Sequence, residues 1–285
     1  MAAEVAERPI TPDIPLSSEE ESEAKPKRSA FGSIERVQIN SVTVIRKRSR
    51  PGVHSKFLRN EYSVLCRLQH PNIVSPIFRS LLLDFPDEIL LPLYDTDLDR
   101  YTMKNAPLAP ELVHDILQQV AAGLSYLHGE GFVHCDLKPD NILFAIASRT
   151  VVIADFGFAA AQTPADAYHL HSSYLDTARA SPLWMPPERL NHPRLICPAS
   201  DVWSLALVAY FLFSGQEPWT NYHDYDTFTR DLVNDRLVPQ LKRPNSCVPF
   251  LWETMQRCWT FSFTARPTAH EFGSAVQLVS LILNK

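Results

Sequence analysis

The chain predicts an α+β fold in two lobes, a small strand-rich one followed by a larger, mostly helical one. Three observations lead there. Up to about Asp95 the apolar residues fall in short strand-like runs broken by one helical stretch, and after Asp97 the pattern turns helical. With 285 residues, 45% of them hydrophobic, the chain can bury a core for one large domain or two lobes. The densest cluster of chemically capable polar residues, Val133 to Gly157, lies just past that change of pattern.

Residues 1–28 are rich in Pro, Ser and charge, with the acidic run Glu19-Glu20-Glu21 and the basic patch Lys25, Lys27 and Arg28. They hold too little apolar surface to offset ordering entropy, which predicts a disordered tail. Residues 29–95 form the expected strand-rich lobe. Val42 to Val44 fits a strand, and Phe57 to Leu68 fits a helix with Phe57, Leu58, Glu61, Leu65 and Leu68 on one side. Residues 96–285 form the expected helical lobe. Leu112, Ile116, Val120, Leu124 and Leu127 make an apolar stripe with Gly129 and Gly131 just past its end. Asp201 to Phe213 reads as a strongly apolar helix with Ser200 or Asp201 near its cap, and Leu251–Trp259 and His270–Leu283 supply further helices.

Composition narrows the function. A net charge of -5 gives no reason to expect nucleic acid or a membrane surface as partner. There is no apolar leader near Met1, and no apolar run approaches the roughly 20 residues that span a bilayer. Cys66, Cys135, Cys197, Cys247 and Cys258 are odd in number, scattered and without metal-ligand spacing, which fits reduced thiols. A soluble intracellular protein of cytoplasm or nucleus is expected; oligomeric state is not legible.

The chemistry sits in Val133-His134-Cys135-Asp136-Leu137-Lys138-Pro139-Asp140-Asn141-Ile142-Leu143 and Ile153-Ala154-Asp155-Phe156-Gly157. Phosphoryl transfer needs a carboxylate near the attacking hydroxyl, a cation on the moving phosphate and oxygen ligands for magnesium. Asp136 can be the first, Lys138 the second, and Asn141 with Asp155 the third. The apolar runs Asn141–Phe144 and Thr150–Ile153 read as two short strands around a turn, a hairpin that returns Asn141 and Asp155 to one place.

These two motifs closely resemble the catalytic loop and metal-binding turn of eukaryotic protein kinases, and the resemblance runs from about Phe31 to Ile282. It implies the bilobal protein-kinase fold, with ATP and Mg2+ between the lobes and a protein substrate offering a Ser or Thr hydroxyl. It makes Asp136 the proton acceptor, Lys138 the lysine steadying the phosphate, and Asn141 and Asp155 the metal ligands. His134 and Phe156 then belong to an apolar spine joining the lobes, and Leu143 packs under adenine. Ser181 to Glu188 resembles the substrate-binding loop, with Glu188 pairing to Arg266, and Asp201 resembles the aspartate bonded to the catalytic-loop backbone; these three are structural.

The N-terminal half resembles the family less closely. Glu61 matches the glutamate that pairs with the lysine gripping the α- and β-phosphates. For the cation, Thr43-Val44-Ile45-Arg46-Lys47 favours Arg46, because Ile45 then takes the apolar position before it. Lys47 is the cation if the strand bulges or slips by one. Phe31-Gly32-Ser33-Ile34-Glu35-Arg36-Val37 resembles the second half of the glycine-rich loop, placing Gly32 and Val37 at the nucleotide. Lys27-Arg28-Ser29-Ala30 stands where the earlier glycines are expected, which implies a looser grip, or an ordinary strand-turn-strand without phosphate contact. Leu90 to Leu98 resembles the hinge: Leu91 guards the adenine pocket, and the Pro92 carbonyl and Tyr94 amide bond the adenine edge. Asp97 either reaches the ribose or is a solvated loop acid.

Cys135 stands where the family has an arginine that pairs with an activation-loop phosphate, so phosphorylation at Thr163, Ser172, Ser173, Tyr174 or Thr177 would lack its usual acceptor. Lys138 favours Ser/Thr transfer, while Pro182-Leu183-Trp184-Met185 and Cys258-Trp259 have a tyrosine-kinase-like character. The alternatives are a pseudokinase acting as a nucleotide-binding or scaffold protein, and a small-molecule phosphotransferase of related architecture.

Overall fold

The computed structural model describes residues 19–21, 27–28, 32–49, 55–77, 88–162, 182–191, 195–219, 225–234, 239 and 241–283. Five strands form the N-terminal sheet: β1 (Glu19–Glu21), β2 (Lys27–Arg28), β3 (Gly32–Ile39), β4 (Val42–Ser49) and, after α1 (Ser55–Leu65), β5 (Glu88–Pro92). Its order is β1-β3-β4-β5, with β2 also on β3 and every pairing antiparallel. Asn40 and Ser41 both take positive φ, 49° and 66°, and turn β3 into β4 with the hand that matches strand twist. The tail expected to be disordered therefore contributes two short edge strands, since the outer edge of β3 offers backbone partners that local composition does not register. The rest of residues 1–28 lies outside the described residues.

The register of β4 decides much of the site. Ile34 faces Lys47, Arg36 faces Ile45 and Val37 faces Val44, in unbroken alternation. Val37, Ile39 and Val44 pack together on one face of the sheet, whereas Ile45 packs on the main core on the other. At Gly32 a Cβ would come within 1.9 Å of the Arg48 carbonyl oxygen, so this position excludes any side chain.

The second lobe begins with β6 (Thr96–Asp97) and α2 (Leu98–Asn105), then α3 (Pro110–Gly129), whose buried stripe includes Ile116, Val120, Leu124 and Leu127. Next come β7 (Phe132–Val133), β8 (Ile142–Ala145), β9 (Thr150–Ile153) and β10 (Ala160–Ala161). α4 (Pro187–Asn191), α5 (Pro198–Ser214), α6 (Tyr225–Asn234), α7 (Pro249–Cys258) and α8 (Ala269–Leu283) complete it. α5 is buried continuously from Ser200 to Phe213 and forms the axis of the core. It starts three residues before the expected Asp201, because Pro198 presets the first-turn φ and no side-chain cap is used. Asp201 is thereby released from capping. α1 ends at Leu65, short of the expected Leu68, although Leu68 is still buried. No helix among the described residues is long and apolar enough to cross a membrane.

Candidate functional site

The backbone of the loop that begins at His134 is held from below by one carboxylate. Asp201 accepts the N–H groups of His134 at 2.8 Å and Cys135 at 3.0 Å, and lies 2.9 Å from His128 Nε2. Cys135 has φ 68°, a left-handed conformation uncommon for a side-chain-bearing residue, and these bonds stabilise it. Burial works against the Asp201 carboxylate, but the His128 bond, the charges of His128 and His134 and the backbone amide outweigh it and hold its pKa below the usual range. The His134 ring lies 2.9 Å from the Ala154 carbonyl through Nε2 and meets the Phe156 ring edge-on at 4.9 Å.

This loop delivers Asp136, Lys138 and Asn141 together. Asn141 Nδ2 donates to the Asp136 carbonyl at 2.8 Å and to Asp136 Oδ2 at 3.0 Å, and Lys138 Nζ sits 3.2 Å from the same Oδ2. Burial raises the Asp136 pKa, with the Lys138 charge opposing it. A carboxylate somewhat more basic than in water results, held in one orientation.

The expected hairpin forms with Ile142 opposite Ile153. The Ala154 N–H donates to the Asn141 carbonyl at 2.8 Å, so Asn141 and Asp155 arrive as neighbours. Asp155 takes φ 61°, ψ 67°, the bend that turns the chain into Phe156 and Gly157. Lys47 Nζ bridges the lobes, 2.6 Å from Glu61 Oε2 and 2.8 Å from Asp155 Oδ1. Burial alone would lower the lysine pKa, but the Asp155 and Glu61 charges overcome it and move it up. Burial raises Glu61 in spite of Lys47, while at Asp155 the Lys47 charge defeats burial and lowers the pKa. Lys47 therefore stays charged.

Two expectations are corrected by this geometry. Lys47, not Arg46, faces Glu61, and no bulge is needed, because Ile45 and Lys47 share the core-facing side of β4. Arg46 is 1% exposed on the opposite face, 3.8 Å from Glu88. The apolar residue two before the cation, not the one before it, shares its face. Val37 likewise belongs to the far face with Val44 and Ile39; Ile34, opposite Lys47, takes the cleft-facing place. Gly32 lines a small cavity with Lys47, Glu61, Asp155 and Gly157.

Leu91 is buried opposite Ile45, and Pro92 ends β5 opposite Val44. Tyr94 is half-buried against the core just beyond. Asp97 caps α2, accepting the Arg100 N–H at 2.9 Å, and pairs with Leu143 across β6 and β8. Glu188 and Arg266 form a buried two-pronged ion pair at 2.6 and 2.7 Å. Asn60 was not singled out from the sequence, yet its Nδ2 lies 3.3, 3.1 and 2.7 Å from the carbonyls of Phe156, Gly157 and Ala159. An asparagine inside a helix, where its propensity is poor, is the signal that marks it. Thr163, Ser172, Ser173, Tyr174 and Thr177 lie outside the described residues.

The donor set fits a hard divalent cation bound with a nucleotide phosphate. Asn141 spends its amide N–H groups on Asp136, which leaves an amide oxygen as the ligand type it can offer, and Asp155 is a carboxylate held ionised beside it. Charged Lys47 adjoins them, as a polyphosphate would require.

The model of the protein kinase domain matches residues 32–276. Serine/threonine-protein kinase VIK of Arabidopsis thaliana is 28% identical over 280 residues, 92% of this chain and 62% of its own length. Tyrosine-protein kinase sid-3 of Caenorhabditis elegans is 31% identical over 83% of this chain and 18% of its own length. Dual specificity protein kinase shkA of Dictyostelium discoideum is 29% identical over 74% of this chain and 39% of its own length. The chain thus spans less than two thirds of each of these relatives.

Proposed function

The chain belongs to the protein kinase domain family, and from that premise we propose that it transfers the γ-phosphate of ATP to a serine or threonine hydroxyl of a protein. The observation that carries this reading is the connected set Glu61–Lys47–Asp155 with Asp136–Asn141–Lys138, drawn from both lobes. Lys47 positions the α- and β-phosphates, and Lys138 steadies the group in flight. Asn141 and Asp155 would hold magnesium, which when bound neutralises charge on the phosphates. The substrate hydroxyl oxygen bonds to the γ-phosphorus as the bond to the β,γ-bridging oxygen breaks. Its proton passes to Asp136, and ADP leaves with the bridging oxygen.

Asp136 is suited to that task because Asn141 and Lys138 fix its carboxylate and burial makes it more basic. Leu91, Pro92, Tyr94 and Leu143 line the adenine side, and Ile34 covers it from β3. Asp97 serves as the cap of α2 in this reading, with ribose contact secondary. Lys138 favours serine or threonine over tyrosine, although relatives of both specificities resemble the chain. The complete acid–lysine–ligand set favours turnover over a scaffold role. The test is incubation of the purified chain with γ-labelled ATP, magnesium and a mixed protein substrate, followed by phosphoamino-acid analysis. Magnesium-dependent phosphoserine or phosphothreonine supports the proposal; phosphotyrosine alone would overturn the specificity, and no transfer would favour the scaffold.

A further inference from the structure

Helix α1 carries two adjacent residues aimed at the Asp155-Phe156-Gly157 turn. Glu61 reaches it through Lys47 to the Asp155 side chain, and its carboxylate also feels the Phe156 backbone N–H. Asn60 reaches it directly, with its amide nitrogen close to three backbone carbonyls at Phe156, Gly157 and Ala159. An amide nitrogen has two hydrogens, so the three acceptors share them, the 2.7 Å contact to Ala159 dominating. Those carbonyls belong to a segment whose first residue sits in a left-handed bend, and the turn is closed within itself by the Ala159 N–H bond to Phe156 at 3.0 Å. Phe57, one helical turn before Asn60 and Glu61, packs on Phe158 with the rings tilted at 54° and their centroids 5.0 Å apart. The backbone of the turn is thus attached to α1 independently of its charged side chain.

We propose that Asn60 is a positioning residue that clamps the metal-binding turn onto α1, so that helix and turn move as one unit. Asn60 touches neither nucleotide nor substrate; it acts by keeping Asp155 where Lys47 and Asn141 meet it. Without the clamp, the Lys47 bridge and the Glu61 carboxylate still draw Asp155 and the Phe156 N–H toward α1, but Gly157 to Ala159 can rotate away. This inference rests on the phosphotransfer reading for its catalytic consequence and stands apart from it for its structural one.

The experiment compares wild type with Asn60→Leu, which keeps the volume and loses the donor, and Asn60→Gln, which keeps the donor on a longer arm. Amide hydrogen exchange is read for the peptide covering 156–162 against a peptide from α5, and transfer kinetics are read in parallel. Two side-chain bonds are together worth on the order of tenfold or more in an opening equilibrium. The expected result is exchange at 156–162 about tenfold faster in Asn60→Leu with α5 unchanged, a kcat reduced about as much, and recovery toward wild type in Asn60→Gln. Equal exchange in wild type and Asn60→Leu overturns the proposal. Loss of protection in α5 as well as in the turn also overturns it, because Asn60 would then hold the lobe rather than the turn. If wild type transfers no phosphate, the functional reading fails, while the exchange comparison still decides whether Asn60 clamps the turn.

Discussion

Removing Lys47 exposes how β4 is tied to α1. Its ammonium lies 2.6 Å from Glu61, whose carboxylate is 1% exposed, so Lys47→Met strands a buried charge. Leaving one member of such a pair without its counterion costs about 3–5 kcal/mol. Relief comes from neutralising the survivor: in Lys47→Met/Glu61→Gln most of that loss should return, giving a coupling at the upper end of the roughly 0.5–3 kcal/mol seen for interacting pairs. Arg46 supplies the control, since Arg46→Met combined with Glu61→Gln should be additive within about 0.5 kcal/mol. Acidity makes a second check. Burial already raises the Glu61 pKa in the presence of Lys47, and losing the lysine raises it further. The ionised acid is therefore penalised in the folded variant. The stability deficit of Lys47→Met is largest above the folded pKa of Glu61 and shrinks as the pH falls through it toward the ordinary 4.5. Urea unfolding followed by tryptophan fluorescence at pH 8 and pH 5 measures both. A coupling of Glu61 to Arg46 rather than Lys47, or a deficit that grows on acidification, would refute the pairing.

Asp201→Asn keeps the shape but loses the charge that accepts two catalytic-loop amides, so kcat should fall with little change in nucleotide binding, measured by steady-state kinetics beside titration calorimetry. Because the Asp201 pKa is depressed, its contribution to stability is complete above the ordinary 3.8 and is lost as the pH drops below it, so the wild-type stability advantage over Asp201→Asn should fade below about pH 4 in acid-unfolding curves. Burial pushes the Cys135 thiol up to about 12 from 9.0, so at pH 8 its thiolate fraction is about a thousandfold lower and iodoacetamide should label it far more slowly than an unperturbed cysteine, read by peptide mass spectrometry.

The C-terminal half was legible because its chemistry is local in sequence. Asp136, Lys138 and Asn141 share one loop, and the Asn141–Phe144 and Thr150–Ile153 runs announce the hairpin that brings Asp155 back. The helices announced themselves by periodicity, with errors of one to three residues where Pro198 replaced a side-chain cap or α1 stopped early. The N-terminal half was harder because face, not identity, decides function there. Arg46 and Lys47 are adjacent cations, and only the register against Ile34 and Ile89 assigns Lys47 to the cleft. Val37 failed for the same reason, being an odd number of residues from Ile34. Asn60 stayed hidden because its partners are backbone carbonyls about a hundred residues away, which carry no sequence identity.

The most direct measurement compares wild type with Asp136→Asn for phosphate transfer and Mg-ATP binding together. The substitution keeps size and hydrogen bonding while removing the carboxylate proposed to accept the proton, and general-base assistance is worth on the order of 10²–10⁴-fold. Asp136 as the proposed base, addressing the incoming hydroxyl rather than ATP, implies transfer reduced by about that factor with Mg-ATP binding nearly unchanged. Equal transfer by the two proteins would contradict it.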